Sequence, residues 1–430
     1  MKRSKWLLAS AAAAGLVLII GGLLYQIPSL KSRLNWRIET AIIYANAVLH
    51  PAGQMPTPDG NKPAPGAALP QPRLSYARLP SPTPLPEPTC SAQTCVTPTA
   101  EPSPTATPTP IPIPASASLV PPPYEKQDQN NCGPASLTMN LRYYGWKGDQ
   151  YTITALIKPD LTDRNVNPDE LLYFVNNRVG WLNGQYRVNG NIDMLKRFIA
   201  LGMPIMVEEE SRLDKQYWPN DDLWAGHYLM LTAYDDNTQV FTSQDSWLGA
   251  NLKVSYQELD RRWQTFNRVY LMFYRPEQEE TVRAIIGENW DEKTNRTLAL
   301  AAAQKETEQN PENPFAWFNL GTNLDYFERY TEASQAFDVA RQLGLPQRML
   351  RYQFGPFIAY FRTGRIDDLL ALTEYALKIT SNSEENLLWH AWALYMKKQK
   401  DKAIEDLNKA LKINPNYNDA RYAINYMTAN

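Results

Sequence analysis

The chain has 430 residues, too many for one compact core, so two or more domains are expected. Its 43 Lys and Arg residues nearly balance 45 Asp and Glu, for a formal net charge of −2, and the basic residues are dispersed. A nucleic-acid binder is thereby excluded, because it needs a concentrated basic surface.

Residues 1–30 open with Lys2, Arg3 and Lys5 and then run without a charge from Trp6 to Tyr25. Roughly 20 uncharged residues match the thickness of a bilayer core, so a transmembrane signal-anchor is expected. No small-residue cleavage site follows the apolar run, and no cysteine stands close behind it, so the anchor is read as uncleaved. Residues 31–50 form a juxtamembrane amphipathic segment suited to a short helix on the bilayer. Residues 51–121 are dominated by Pro, Thr and Ser, as in "EPSPTATPTPIPIP", and are expected to be a disordered, extended linker. Cys90 and Cys95, in "CSAQTC", either close a small disulfide loop or remain separate thiols. Basic residues flank the anchor almost equally, so orientation rests on the linker. A Pro/Thr-rich stalk with paired cysteines places the C-terminal domains outside the cytoplasm, on a single-pass protein of the cell membrane.

Residues 122–276 mix helix and strand patterns and are expected to form an α+β domain, helix first and sheet later. "GPASLTMNLRYYGW" sets Leu137, Leu141 and Tyr144 at helical spacing, with Gly145 as a stop. "GNIDMLKRFIALGMPIMVEEE" reads as a helix ended at Gly202 and a strand from Pro204. Glu208 to Glu210 then fall in a solvated loop, or bind a cation or basic side chain. "WPNDDLWAG" reads likewise as a solvated loop, or as a flap over a site. "HYLMLTAYDDNTQVFTSQDSW" reads as two strands about a turn.

Residues 285–430 lose the strand signals and repeat helical ones. Trp317, Leu320, Gly321, Ala333, Phe337 and Ala340 match the tetratricopeptide template, a weaker copy follows at Tyr360, Gly364, Leu369 and Ala376, and a third includes Leu394, Ala403, Leu407, Ala410 and Pro415. The equivalent positions Ala333, Leu369 and Ala403 lie 36 and 34 residues apart. Three stacked helix pairs with a leading helix are expected, an all-α tetratricopeptide repeat array. Such an array presents a surface to a peptide or protein partner, the preferred reading, or serves as a packing platform for its neighbour.

Cys132 is the only cysteine outside the linker. Gly133 and Pro134 follow it, so its thiol sits at a helix start, where the dipole favours a thiolate; a small core residue is the alternative. Of the three histidines, His50 is juxtamembrane and His390 lies on a repeat helix, where it is expected to pack between helices. Only His227 is left to pair with Cys132. If Tyr234 faces Thr238 across the turn, His227 faces Asp245, close enough for the carboxylate to orient the imidazole. Singly, His227 reads equally as a strand-start histidine and Asp245 as a turn former. Gln127, five residues before Cys132, is the first choice for a side-chain oxyanion donor beside the Cys132 backbone N–H, with Gln129 and a solvated-loop reading as alternatives. No metal or organic cofactor is called for, since no His, Cys and carboxylate cluster has ligand spacing.

Together "QDQNNCGPASLTMNLRYYGW", "GMPIMVEE", "GHYLMLTAYDD" and "DSWLG" resemble the papain-like cysteine peptidases related to the double-glycine leader peptidases that process bacteriocins. The resemblance implies Cys132 as nucleophile, His227 as general base and then acid, Asp245 as orienter and Gln127 as oxyanion-hole donor, acting on an amide bond of a peptide or protein. The chain departs from those leader peptidases in lacking a transporter core and in having Ser246 where proline is frequent. A catalytically inactive scaffold acting through its repeats, and a thiol acyltransferase, are the alternatives.

Overall fold

The computed structural model describes residues 15, 28–49, 51, 53–58, 112–160 and 162–430. The expected membrane segment apart from Gly15, most of the linker, and Cys90 with Cys95 lie outside the described residues. Helix α1 (Pro28–Leu49) carries Leu30, Leu34, Ile38 and Ile42 exposed at every fourth position, an apolar stripe along one side. No helix among the described residues is long and apolar enough to cross a membrane. Ala47 and Met55 pack against the C-terminal helices, and the Arg341 guanidinium donates to the Pro56 carbonyl.

The α+β domain is built on an antiparallel sheet. Its strands are β1 (Ser116–Ser118), β2 (Asn183–Arg187), β3 (Ile205–Arg212), β4 (Trp224–Asp235), β5 (Val240–Asp245), β6 (Gly249–Ser255) and β7 (Tyr270–Tyr274). The order is β2-β7-β3-β4-β5-β6, with β1 paired to β4. Alternation divides the side chains between two cores. Ile205, Val207, Leu229, Leu231, Tyr270 and Met272 point to one, where Trp263 and Phe198 cover them. Met206, Tyr228, Leu271 and Phe273 point to the other, with Leu137, Ile153 and Leu171. Helices α2 (Cys132–Tyr143), α3 (Gln150–Ile157) and α4 (Pro168–Phe174) supply the second cover; α5 (Ile192–Ala200), α6 (Tyr256–Gln264) and α7 (Glu279–Ile286) supply the first. Asn191 and Ser255 cap α5 and α6 by accepting from Met194 N and Glu258 N.

Three expectations are corrected here. Residues 116–118, assigned to the linker on composition, form a strand of the sheet: Ser116 pairs with Asp235, and just beyond them Leu119 N donates to Thr232 O at 2.8 Å. A three-residue strand is too short to show through a proline-rich sequence. Glu208 to Glu210 lie within β3 rather than in a loop after it, and Glu208 and Glu209 are buried. The β4–β5 hairpin closes between Asp235 and Val240, not between Tyr234 and Thr238.

Helices α8 (Glu292–Gln309), α9 (Pro314–Tyr326), α10 (Tyr330–Leu343), α11 (Met349–Tyr352), α12 (Gly355–Arg362), α13 (Ile366–Ile379), α14 (Glu384–Met396), α15 (Lys400–Ile413) and α16 (Asn418–Ala429) complete the chain. The pairs α9/α10, α12/α13 and α14/α15 stack through small and aromatic residues; a Cβ on Gly321 would meet the Phe337 ring at 2.6 Å. His390 Nδ1 donates to Asp406 Oδ2 across the third pair, at 2.7 Å.

The repeats pack directly on the α+β domain. One apolar cluster runs from Trp218, Trp224, Phe266 and Val269 into Met349, Leu350 and Phe354. Arg268 meets Glu306 at 2.6 Å, Asn267 donates to Asn323 at 3.0 Å, and Gln353 donates to Thr265 O at 2.9 Å. Gly226 is needed at this seam, because a Cβ there would lie 2.7 Å from Phe266 and 3.2 Å from Tyr352.

Candidate active site

Cys132 begins α2, so its sulfur and backbone N–H stand in the open first turn of the helix, where backbone donors have no intrahelical acceptor. The turn is held to β4 by Ser136 Oγ, which donates to Tyr228 O at 2.9 Å. Gly133 packs closely there, with the position a Cβ would take 3.4 Å from Tyr228 and Val166. The helix start is thereby fixed beside His227, one residue along β4.

His227 and Asp245 are joined by a hydrogen bond of 2.9 Å between Nε2 and Oδ1. They are not directly opposed, as the sequence register had them: Leu229 faces Asp245. Near the turn, Tyr234 faces Phe241, a pairing that would put His227 and Asp245 on opposite faces if continued. A register shift between Leu231 and Ala233 restores the parity, so the two residues become diagonal neighbours on one face. Asp245 Oδ1 also accepts from Trp247 N at 2.8 Å and Leu248 N at 2.9 Å, which fixes the carboxylate.

With Nε2 engaged by Asp245, Nδ1 is the ring nitrogen left to serve the thiol, and Cys132 and His227 line the same cleft, each shifting the other's protonation. Burial alone pushes the Cys132 thiol up, but the hydrogen bond and charge of His227, the backbone of Tyr228 and the charge of Lys158 bring it below its ordinary value. Burial likewise opposes protonation of His227, and Asp245 and Cys132 outweigh it, raising the imidazole well above the usual range. Burial pushes the Asp245 carboxyl up, and His227 with the two backbone N–H groups brings it below normal. All three directions favour a thiolate beside an imidazolium.

Gln127 reaches the same cleft. Its Oε1 accepts from Ser246 Oγ at 2.8 Å and its backbone N donates to Ser246 O at 2.9 Å, which leaves the amide nitrogen to serve the cleft. Gln129 also lines the cleft. The structure therefore brings Cys132, His227, Asp245 and Gln127 together.

Several supporting residues carried no sequence signal. Gln150 Oε1 accepts from Asp128 N and Asn131 Nδ2, while its Nε2 donates to Lys126 O and Glu125, pinning the loop before Cys132. Buried Lys158 donates to Asn130 O at 2.5 Å from beneath that loop. Glu209 lies directly opposite His227 on β3, and burial pushes its carboxyl up to about 8 against the charges of Arg262 and His227.

The stretch from Trp218, read as a solvated loop or a flap, is buried at Trp218, Asp221 and Trp224, and Tyr217 and Trp218 form part of the cleft wall. Arg348, Arg351 and Tyr352, from the repeat region, form another part. The cleft measures about 720 Å³ including its open mouth, a size for a few side chains rather than a folded domain.

Residues 120–275 match the model of the Peptidase C39 like family, and residues 389–417 match the tetratricopeptide repeat. A search of curated proteins gave no match. Among solved structures, the chain is similar to a double glycine motif protease from an AMS/PCAT transporter in complex with the leader peptide, at 16% identity and a TM-score of 0.27, over 37% of this chain and 94% of that one. It is also similar to xylellain, a cysteine protease from Xylella fastidiosa, at 14% identity and a TM-score of 0.28, over 38% and 86% of the two chains. A third similarity is to MamA from Desulfovibrio magneticus RS-1, at 16% identity and a TM-score of 0.29, over 31% and 75%. The protein thus carries a peptidase C39-like domain followed by tetratricopeptide repeats.

Proposed function

We propose that this chain is a membrane-anchored thiol hydrolase that cleaves an amide bond of a peptide or protein, with its C-terminal domains held outside the cytoplasm. The observation that carries the reading is the hydrogen-bonded pair of Asp245 and His227 set beside Cys132 in one cleft at a helix start. In this reading the Cys132 thiolate attacks the amide carbonyl carbon, and negative charge gathers on the carbonyl oxygen. The Gln127 amide and the Cys132 backbone N–H donate to it. As the C–N bond breaks, the imidazolium gives its Nδ1 proton to the leaving amine. The neutral imidazole then takes a proton from water, whose hydroxide attacks the thioester. The acid leaves and the thiolate–imidazolium pair is restored. Asp245 keeps Nε2–H in place throughout.

Anchoring is supported by the charge-free run from Trp6 to Tyr25 and by the exposed apolar stripe of α1 that follows it. The test of the chemistry needs no substrate. Alkylation of Cys132 by iodoacetamide is followed against pH in the full chain, reading the Cys132 peptide by mass spectrometry so that Cys90 and Cys95 do not interfere. Fast reaction persisting well below a thiol pKa of about 8.5, and lost in His227→Ala, is the expected result. Ordinary thiol behaviour indifferent to His227 would overturn the mechanism. Protease added to intact cells tests the orientation, the expected outcome being digestion of the C-terminal domains.

A further inference from the structure

The cleft beside Cys132 is charged by arginine. Arg164 and Arg212 of the peptidase domain line it together with Arg348 and Arg351 from the repeat region; among the described residues no Asp or Glu lines this cleft, and Glu208 lines a smaller adjoining cavity that shares Cys132, Arg164 and Tyr352. Two of these guanidinium groups differ in how they are matched. Arg348 is balanced by Asp221, whose two carboxylate oxygens accept from its Nη1 and Nη2 at 2.5 Å each. Arg351 has no such carboxylate among the described residues. Its Nε donates to the neutral hydroxyl of Thr380 at 2.9 Å, while Nη2 has no hydrogen-bond partner among them, although the residue is only 6% exposed.

A buried guanidinium without a counter-charge is held at a cost. Burial pushes Arg351 down to about 10; Tyr352 opposes this, and the neighbouring charges of Arg164 and Arg348 add to it. An anion entering the cleft would offset that repulsion among the guanidinium charges. A planar guanidinium suits a planar carboxylate, which accepts two parallel N–H donors.

We propose that the repeat-side wall of the cleft is a carboxylate-binding subsite, in which Arg351, with Arg164 beside it, holds a carboxylate of the polypeptide whose amide faces Cys132. The substrate class is an acidic peptide, the carboxylate coming from an Asp or Glu side chain or from a free C-terminus near the scissile bond. The assignment of a scissile amide rests on the hydrolase reading; the subsite rests on the arginines. It also gives the repeats a direct part in substrate choice, since Arg351 lies on α11 and not in the peptidase domain.

Iodoacetate and iodoacetamide react with a thiolate by the same displacement of iodide and differ by one charge, so their rate ratio at Cys132 reads the subsite without a substrate. In the full chain, that ratio is expected to exceed the ratio for free glutathione by roughly tenfold, the worth of one charge-assisted hydrogen bond. In Arg351→Gln it should fall several-fold, the ratio cancelling any change in thiolate reactivity common to both reagents; Arg164→Gln provides a second variant should the first fail to fold. A ratio equal to that of glutathione, or one untouched in both variants, overturns the subsite. Internally quenched peptide mixtures carrying Asp or Glu against Asn or Gln, and C-terminal acids against amides, then separate the two sources of carboxylate. Cleavage blind to every carboxylate overturns the subsite and leaves the hydrolase reading standing. A high iodoacetate ratio without any cleavage supports the subsite and counts against hydrolysis.

Discussion

Ser246 Oγ donates a 2.8 Å hydrogen bond to the side-chain oxygen of Gln127, and the Gln127 backbone returns one to Ser246 O at 2.9 Å. Ser246, where related peptidases frequently have proline, thus holds the Gln127 side-chain oxygen in an arrangement that leaves the amide nitrogen for the cleft. A proline has no hydroxyl with which to do so. Ser246→Ala should leave the backbone bond intact but free the amide to rotate, lowering kcat about tenfold or less, the worth of one neutral hydrogen bond. Gln127→Ala removes the proposed oxyanion donor and should cost about 10²–10³ in kcat. Equal losses in the two variants would show that Ser246 does more than position Gln127, and no loss in Gln127→Ala would remove it from the oxyanion hole.

Asp245 separates charge from orientation. His227 Nε2, Trp247 N and Leu248 N all converge on the single oxygen Oδ1. An asparagine with its oxygen in that place accepts all three and keeps the same imidazole tautomer. Asp245→Asn should therefore retain activity but move its acid limb to higher pH, because His227 loses the charge that raises it and Cys132 loses part of the imidazolium that lowers it. A limb displaced by about one pH unit means a tenfold loss of rate at a fixed pH on that limb, with recovery at higher pH. Asp245→Ala loses both functions and should fall by about 10²–10⁴ at every pH. The pH dependence of Cys132 alkylation in the two variants checks this; coincident profiles would mean that charge, not orientation, is the whole contribution.

The local signs of this site were legible because they are short-range. A Gly-Pro pair after Cys132 marks a helix start, and alternation on two strands marks a shared face. The hairpin arithmetic came out two residues wrong in register yet right in face, because the shift between Leu231 and Ala233 changes parity and no single-sequence signal marks it. Glu208 and Glu209 were assigned to solvent because a carboxylate normally seeks water, whereas burial here raises both groups toward the neutral acid. The part played by α11 was hidden by the repeat template. Its only trace was the 36-residue step from Ala333 to Leu369, where the next step is 34. Those residues shorten the first helix of the second pair to eight and send Arg348, Arg351 and Tyr352 toward the cleft.

A second seam between the domains is built from carboxyl groups. Asn165 and Asn167 donate to Glu385 Oε1 at 3.3 and 3.0 Å, and Asn382 donates to Thr162 O at 2.6 Å. Burial, foremost, raises Asp163 to about 7, with Lys158 opposing and Glu385 adding; it raises Glu170, Glu384 and Glu385 as well. Folded values above unfolded ones mean that the folded chain holds these protons more tightly. The stability they contribute is complete below the unfolded values and is lost as pH rises through the folded ones, for Asp163 between 3.8 and about 7. The Tm of the full chain should fall by several degrees between pH 5 and pH 8. Glu384→Gln keeps the oxygen that accepts from Asn414 and removes one charge, so it should raise Tm at pH 8 and flatten the profile. A Tm that rises over this range, or a profile unchanged in Glu384→Gln, would contradict the account.

The pair of Asp221 and Arg348 ties the stretch before β4 to the repeats, and its side chains are 0% and 1% exposed. Asp221 also accepts from Tyr217 N at 2.9 Å and Leu223 N at 3.0 Å, while the Arg348 guanidinium lies 4.1 Å from the Trp218 ring centroid. Removing one partner strands a buried charge and costs about 3–5 kcal/mol, whereas removing both replaces the pair by apolar contact at far less cost. Asp221→Ala should therefore release the segment from α11 while the sheet persists, and trypsin should cut after Arg212 or Lys215 at least tenfold faster than in the unaltered chain. Adding Arg348→Met should slow that cleavage again, because the stranded guanidinium is gone and Trp218 keeps an apolar neighbour. Such a rescue is the signature of a coupled pair and not of two independent losses. If the double variant is cut as fast as Asp221→Ala, the segment is held by its own turn alone and the repeats do not shape that wall of the cleft.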